Sequence, residues 1–122
     1  MHELSVAQSI LSIAESAAPK TPDTTITKVN LQIGELSGIE LEALKFALSI
    51  TQKDTILENA EFDIEVIRGE AECPQCKTVF PMHYYGACCP ECKNYFIHVL
   101  KGREMKVLNI VVDEHAEMEH AV

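Results

Sequence analysis

Two Cys-X-X-Cys pairs, Cys73-Pro-Gln-Cys76 and Cys89-Pro-Glu-Cys92, stand twelve residues apart in this chain. A knuckle of this kind turns two sulfurs toward one point. Two facing knuckles complete a tetrahedral set with metal–sulfur bonds of about 2.3 Å. Proline follows the first cysteine in both pairs, which favours a rigid turn. The spacing predicts a structural zinc ion held by Cys73, Cys76, Cys89 and Cys92. Four thiolates leave no open coordination position, so the metal would hold structure and not catalyse. A redox dithiol is the competing chemistry, but it goes with a single knuckle on a βαβ pattern. Cys88 lies beside Cys89, and its spacing to Cys92 breaks the symmetry with the first pair. It is read as a spare thiol.

The chain opens Met1-His2-Glu3. A histidine at position two can close fused chelate rings from the α-amine of Met1, its own amide nitrogen and its imidazole. Such a nitrogen set in a square plane suits Ni(II) or Cu(II). Taken by itself, the simpler reading is an idle surface histidine. Among the other histidines, His83 sits in an aromatic loop inside the cysteine stretch and reads as structural. His98, just after that stretch, reads first as a surface strand residue, with an approach to a metal as the alternative. His115, Met118 and His120 fall in a tail that reads as solvated.

The positions that carry this chemistry need elements to hold them. The helical spacing of Leu4, Ala7, Leu11, Ala14 and Ala17, widened by Val6 and Ile10, predicts a first helix stopped by Pro19. Val29, Leu31 and Ile33 then alternate with polar residues as in a half-buried strand. Gly34 and Gly38 bracket a turn in which Ser37 stands three residues before Glu40, a capping-box spacing. A second helix follows, with Leu41, Leu44, Ala47 and Leu48 on one face and Phe46 and Ile50 widening it. Phe62, Ile64 and Val66 alternate in a second strand running toward Glu72. The β-branched run EMKVLNIVVDEH reads as a central or two-sided strand.

The expected fold is α+β: two helices packed on a small three-stranded sheet, with an inserted four-cysteine zinc-ribbon-like module. The divisions are residues 1–72 plus 101–113 for the α/β domain, 73–100 for the module and 114–122 for a flexible acidic tail.

Length and charge narrow the function classes. A chain of 122 residues is one compact domain carrying a small stapled module. The formal net charge of −9 argues against nucleic acid, whose backbone demands a basic surface. Residues 73–102 hold one acid, Glu91, against Lys77, Lys93 and Lys101. A zinc tetrathiolate there would add about −2 and leave the module near neutral. No apolar run is long enough to span a membrane, and the first residues lack a signal peptide's basic start. The expectation is a cytoplasmic protein without membrane insertion. No HExxH motif or histidine–carboxylate cluster supports a hydrolytic metalloenzyme.

The MHELSVAQSIL opening, the LQIGELSGIELEALKFAL stretch, the CPQC…CPEC pairs and the closing GREMKVLNIVV occur in the order seen in the HypA/HybF family, which this chain resembles from Met1 to about Asp113. Those proteins are nickel-insertion accessory factors for [NiFe]-hydrogenase, and some also serve urease. The resemblance implies a nickel metallochaperone and not an enzyme. It implies Ni(II) as transferred cargo bound by Met1, His2 and Glu3, and Zn(II) held by the four cysteines. It also implies a HypB-like GTPase and the hydrogenase large-subunit precursor as partners, with the chain a monomer or weak homodimer. The Glu3 amide is an additional candidate nickel ligand, while its carboxylate is expected to cap the helix start. Glu40 is read first as a helix-start carboxylate and second as an acidic neighbour of the metal. Lys93 departs from the glycine common after the family's last cysteine. Without the resemblance, the residues support a zinc-ribbon adaptor or scaffold protein.

Overall fold

The computed structural model describes residues 2–114. The order of elements is α1 (Glu3–Ala17), β1 (Thr24–Gly34), α2 (Leu41–Thr51), β2 (Glu61–Ile67), β3 (Glu70–Glu72), β4 (Val79–Pro81), β5 (His98–Lys101) and β6 (Met105–Glu114). Two three-stranded sheets result, ordered β2-β1-β6 and β4-β3-β5. The α+β expectation holds, with a second small sheet around the cysteines. The chain divides into two compact units. One comprises Met1–Leu31, Ile39–Ile64 and Val107–Val122, the other Gln32–Gly38 and Glu65–Lys106.

In the first unit, α1 and α2 pack against each other. The buried stripe of α1 is Val6, Ala7, Ile10, Leu11 and Ala14. Leu4 and Ala17, expected inside, are exposed. At 100° per residue Leu4 falls beyond the Leu11 edge of this stripe, whereas Ala17 shares the stripe's angular range but is the last residue of the helix. Likewise α2 buries Leu44, Ala47 and Leu48 but leaves Phe46 67% and Ile50 49% exposed. The start of α2 also differs from the capping-box reading. Glu40, not Ser37, is the N-cap, and its carboxylate accepts from the Ala43 amide at 2.7 Å. In the α2–β2 connection, the Gln52 side-chain amide donates to the Leu57 and Ala60 carbonyls, and both of those residues are buried.

Strand β1 is the central strand of its sheet. It buries Thr24 and Ile26, then Val29, Leu31 and Ile33, so its inward parity changes between Ile26 and Val29. Contacts from Lys28 to Asp63, Gln32 to Glu65 and Glu35 to Ile67 climb β1 and the β2 segment together, the pattern of a parallel pair. That makes β1–α2–β2 a crossover unit, but both cysteine knuckles lie outside it. Contacts from Thr27 to Val111, Asn30 to Asn109 and Gly34 to Glu104 descend along β6, as in an antiparallel pair. Among the described residues β6 is therefore an edge, where a central or two-sided strand was expected. The second strand stops at Ile67, and the chain restarts as β3 at Glu70.

The second unit has its own core of Leu36, Ala71, Cys73, Phe80, Met82 and Cys89. Three glycines let its backbone segments touch. A Cβ on Gly34 would fall on the Gly102 carbonyl, and one on Gly69 would fall on the Met82 carbonyl. Gly102 itself has φ +117, a conformation side chains rarely adopt. Because backbone atoms cannot yield as side-chain ends do, Gly69→Ala should destabilise this unit by about 2–4 kcal/mol. The urea midpoint of the variant measures it, and an unchanged midpoint would show that the close approach is dispensable.

Candidate metal centre

The two knuckles are the same loop built twice. In the first, Cys73 donates its amide to the Thr78 carbonyl at 2.9 Å and accepts from the Lys77 amide at 2.8 Å. In the second, Cys89 donates to the Asn94 carbonyl and accepts from the Lys93 amide, both at 2.9 Å. Lys77 and Lys93 both sit at φ 66. A side chain in that left-handed region costs about 1–2 kcal/mol, which glycine would avoid. Lys93 thus takes the backbone conformation expected of glycine at this point.

All four Sγ atoms of Cys73, Cys76, Cys89 and Cys92 lie within 4.8 Å of one another. The Cys73–Cys92 and Cys76–Cys89 separations are 3.6 and 3.5 Å. Metal–sulfur bonds of about 2.3 Å in a tetrahedron require edges of about 3.8 Å, so the set fits zinc. These separations are far from the roughly 2.05 Å of a disulfide, and all five cysteines are free. In each knuckle the first cysteine is buried and the second exposed. Cys88 is half-buried and lies outside the cluster, in agreement with its reading as the spare thiol.

Electrostatics lead to the same conclusion. The Cys76 amide, followed by the Gln75 amide and the Cys92 thiol, pulls the Cys73 thiol down to about 6 against the cost of burial. Cys76 is also lowered, first by the Thr78 hydroxyl and amide. For Cys92 the Asn94 amide pulls downward, yet burial and the thiols of Cys73, Cys76 and Cys89 push it up to about 12. The cluster ionises its first sulfur readily and resists the last. Four gathered thiolates are stable only around a cation, and zinc supplies two positive charges.

A residue the sequence reading passed over, Glu35, organises the same unit. One carboxylate oxygen accepts from the Gly69 amide at 2.7 Å, and the other meets His83 Nδ1 at 2.9 Å. The Gly69 amide foremost, then His83, holds the Glu35 carboxyl below the usual glutamate range. His83 is accordingly structural, as expected. The visible signal was an acid inside a two-glycine turn, but its partners lie 34 and 48 residues away. A folded-state value below the unfolded one gives stability that is present above the ordinary glutamate range and lost as pH falls through the folded value. Thermal midpoints of wild type and Glu35→Gln should therefore converge in acid and separate above about pH 5. A constant difference across that window would remove the carboxylate's charge from the explanation.

At the other candidate site, His2 occupies the N-cap of α1 without capping through its side chain. Its ring is exposed and has no hydrogen-bond partner among the described residues. Its carbonyl receives the Val6 amide at 3.1 Å, which starts the helix directly behind it. The Glu3 carboxylate accepts from the Glu40 backbone amide at 3.0 Å, and that amide, ahead of Glu3's own, lowers its proton affinity. Glu3 therefore ties the start of α1 to the start of α2, beyond the expected capping of its own helix. Glu40 is the helix-start carboxylate expected of it, and its backbone neighbours the N-terminal residues. Met1, His115, Met118 and His120 lie outside the described residues. His98 is an exposed residue of β5, opposite Glu72 in β3.

An α+β domain with a four-sulfur knuckle pair and an exposed N-terminal histidine defines a zinc-stapled metal-handling protein. Comparison with known proteins makes the class specific. A family model described as hydrogenase/urease nickel incorporation, metallochaperone, HypA matches residues 1–112. The hydrogenase maturation factor HypA of Parabacteroides distasonis is 40% identical over 112 residues, covering 92% of this chain and 97% of that protein. That of an Azoarcus species is 38% identical over 114 residues, covering 93% and 100%. The solution structure of the nickel metallochaperone HypA from Helicobacter pylori aligns with TM-score 0.63 and 29% identity, covering 90% of this chain and 96% of that one. This chain belongs to the HypA family of nickel metallochaperones.

Proposed function

We propose that this protein binds Ni(II) through the α-amine of Met1, the amide nitrogen and imidazole of His2, and the amide of Glu3, and passes the ion on during [NiFe]-hydrogenase maturation. The observation that carries the reading is the exposed His2 ring at the head of α1, unengaged while Glu3 beside it is held on the Glu40 amide. The anchored helix start fixes the second and third residues, and the proposed donors are few, with the His2 ring exposed. A site of that kind grips an ion and still releases it. The acidic body, at a formal −9, raises the local concentration of cations. Nitrogen donors bind metal in competition with protons, so nickel affinity falls with acidity.

Cys73, Cys76, Cys89 and Cys92 are assigned as ligands of a resident zinc. That ion supplies charge balance and cross-linking for the second unit, with Thr78 and Asn94 orienting the sulfurs from outside. The recipient is a hydrogenase large-subunit precursor and the coupled partner a HypB-like GTPase, in the cytoplasm. The family's description includes urease, a second recipient. The protein itself carries metal and catalyses no reaction. Among the described residues no helix is long and apolar enough to cross a membrane. Nickel titration of untagged wild type against His2→Ala tests the site: equal affinities would refute it.

A further inference from the structure

The connection from β5 to β6 carries cations that neither metal site uses. Lys101, Arg103 and Lys106 line an open cavity of about 400 Å³ in the second unit. The backbone that carries them is pinned. Gly102, at φ +117, turns the chain between Lys101 and Arg103, and its carbonyl accepts from the Leu36 amide at 2.6 Å. Its amide donates to the Glu104 carboxylate at 2.8 Å, and the Glu104 carbonyl accepts from the Gly34 amide at 2.7 Å. Glu104 is the one acid of the lining, and its carboxylate is thus engaged. Glu70 stands opposite Lys101 in the β3–β5 register, yet among the described residues none of the three cations forms an ion pair.

Arg103 is held in a set direction. Its Nε donates to the Tyr85 hydroxyl at 3.0 Å, and its guanidinium carbon lies 5.7 Å from the centre of the same ring. That hold orders the planar fork of terminal nitrogens in advance, and such a fork matches the two oxygens of a carboxylate. Between the cations the lining is apolar. Val99 packs on the core of the unit, while Leu100 and Met105 are 50% and 37% exposed. A small inorganic anion gains nothing from such a surface. A peptide does, because its carboxylates can meet the cations while neighbouring aliphatic side chains cover Leu100 and Met105.

We propose that this cavity docks a short acidic segment of a partner protein, one that carries aliphatic side chains between its carboxylates. Charge selects that occupant. The whole chain stands at a formal −9, whereas residues 99–106 hold Lys101, Arg103 and Lys106 against Glu104 alone. An acidic segment is therefore attracted at this place and repelled by the chain at large, which fixes where it lands. The pinned turn and the oriented Arg103 leave little ordering to oppose binding. No residue of the zinc or nickel sets lines the cavity, so the docking is tested independently of both.

Fluorescence anisotropy of a short labelled peptide of alternating glutamate and leucine, titrated with the untagged full chain, tests the site. Binding should saturate with a dissociation constant below about 1 mM. Arg103→Glu should raise that constant at least about tenfold, and Lys101→Ala and Lys106→Ala about twofold to fivefold each. Tyr85→Ala keeps every charge but frees Arg103, and should cost about threefold. Lys45→Glu in α2 alters the net charge as much as Arg103→Glu does, outside the cavity, and should leave affinity within about twofold. A peptide of alternating glutamate and serine should bind at least about fivefold more weakly. These positions are exposed, and unchanged circular dichroism will confirm that each variant folds. Absence of saturable binding up to about 1 mM overturns the proposal. Equal binding of the serine peptide, or equally effective competition by inorganic polyphosphate, also overturns it, because the cavity would then take anions without selection. An equal loss in Lys45→Glu would assign the effect to overall charge, and self-association abolished by Arg103→Glu would assign the cavity to a second copy. Either result overturns it as well.

Discussion

Cys73→Ser should yield protein that retains less than stoichiometric zinc and lacks a folded second unit, while amides of α1, α2 and β1 stay protected from exchange. The reasons are additive. A structural zinc contributes roughly 10–16 kcal/mol in small metal-stapled folds, or about 2.5–4 kcal/mol for each of four ligands, so one lost thiolate weakens binding by roughly a hundredfold to a thousandfold. Cys73 is also part of the core with Leu36, Ala71, Phe80 and Met82, so the substitution buries a hydroxyl where a sulfur packed. Cys92 is exposed, and Cys92→Ser should lose the metal contribution without that second penalty. Cys88→Ser, outside the cluster, should keep full zinc content and is the internal control. Metal analysis together with amide exchange separates the cases. Stoichiometric zinc in Cys73→Ser would overturn the ligand set. The same chemistry gives a pH direction: protons compete for the thiolates, so zinc affinity falls with acidity.

The second large effect is expected at the other end of the chain. Removal of the His2 imidazole takes away one donor and the chelate ring it closes, so Ni(II) affinity should fall by at least about a hundredfold in His2→Ala. Acetylation of the Met1 amine should weaken binding comparably, because it removes the amine donor and supplies no new one. These two changes leave α1 intact: its first hydrogen bond uses the His2 carbonyl, a backbone group that both variants keep. Calorimetric titration of the untagged protein measures each. Unchanged affinity in the acetylated protein would remove the amine from the proposed set, and unchanged affinity in His2→Ala would remove the site. Zinc content should be the same in all three proteins, which distinguishes loss of a nickel ligand from loss of fold.

The knuckles could be read from the chain because a Cys-X-X-Cys turn is local. Four residues dictate where two sulfurs point, and repetition of the motif specifies the geometry of the full set. The choice of Cys89 over Cys88 followed from that symmetry alone and is matched by the sulfur positions. Helix and strand periodicities were local too and located α1, β1, α2 and β2, with errors where sequence spacing underdetermines direction. Leu4, Phe46 and Ile50 are apolar, yet their exposure depends on which side of each helix meets the rest of the first unit, and nothing within the helix encodes that. The place of β6 was misjudged for a related reason. A β-branched run says that a strand forms, not how many neighbours it acquires.

Only the tertiary structure brought Glu35 to Gly69 and His83, stacked Gly34, Gly69 and Gly102 backbone against backbone, and set the Glu3 carboxylate on the Glu40 amide. These contacts join residues far apart in the chain, and a lone acid or glycine carries no sign of its distant partner. The four-cysteine set was therefore determined by the sequence itself, because its geometry is built within turns. The surroundings of His2 were decided in three dimensions, because they depend on which segments the fold brings to the head of α1.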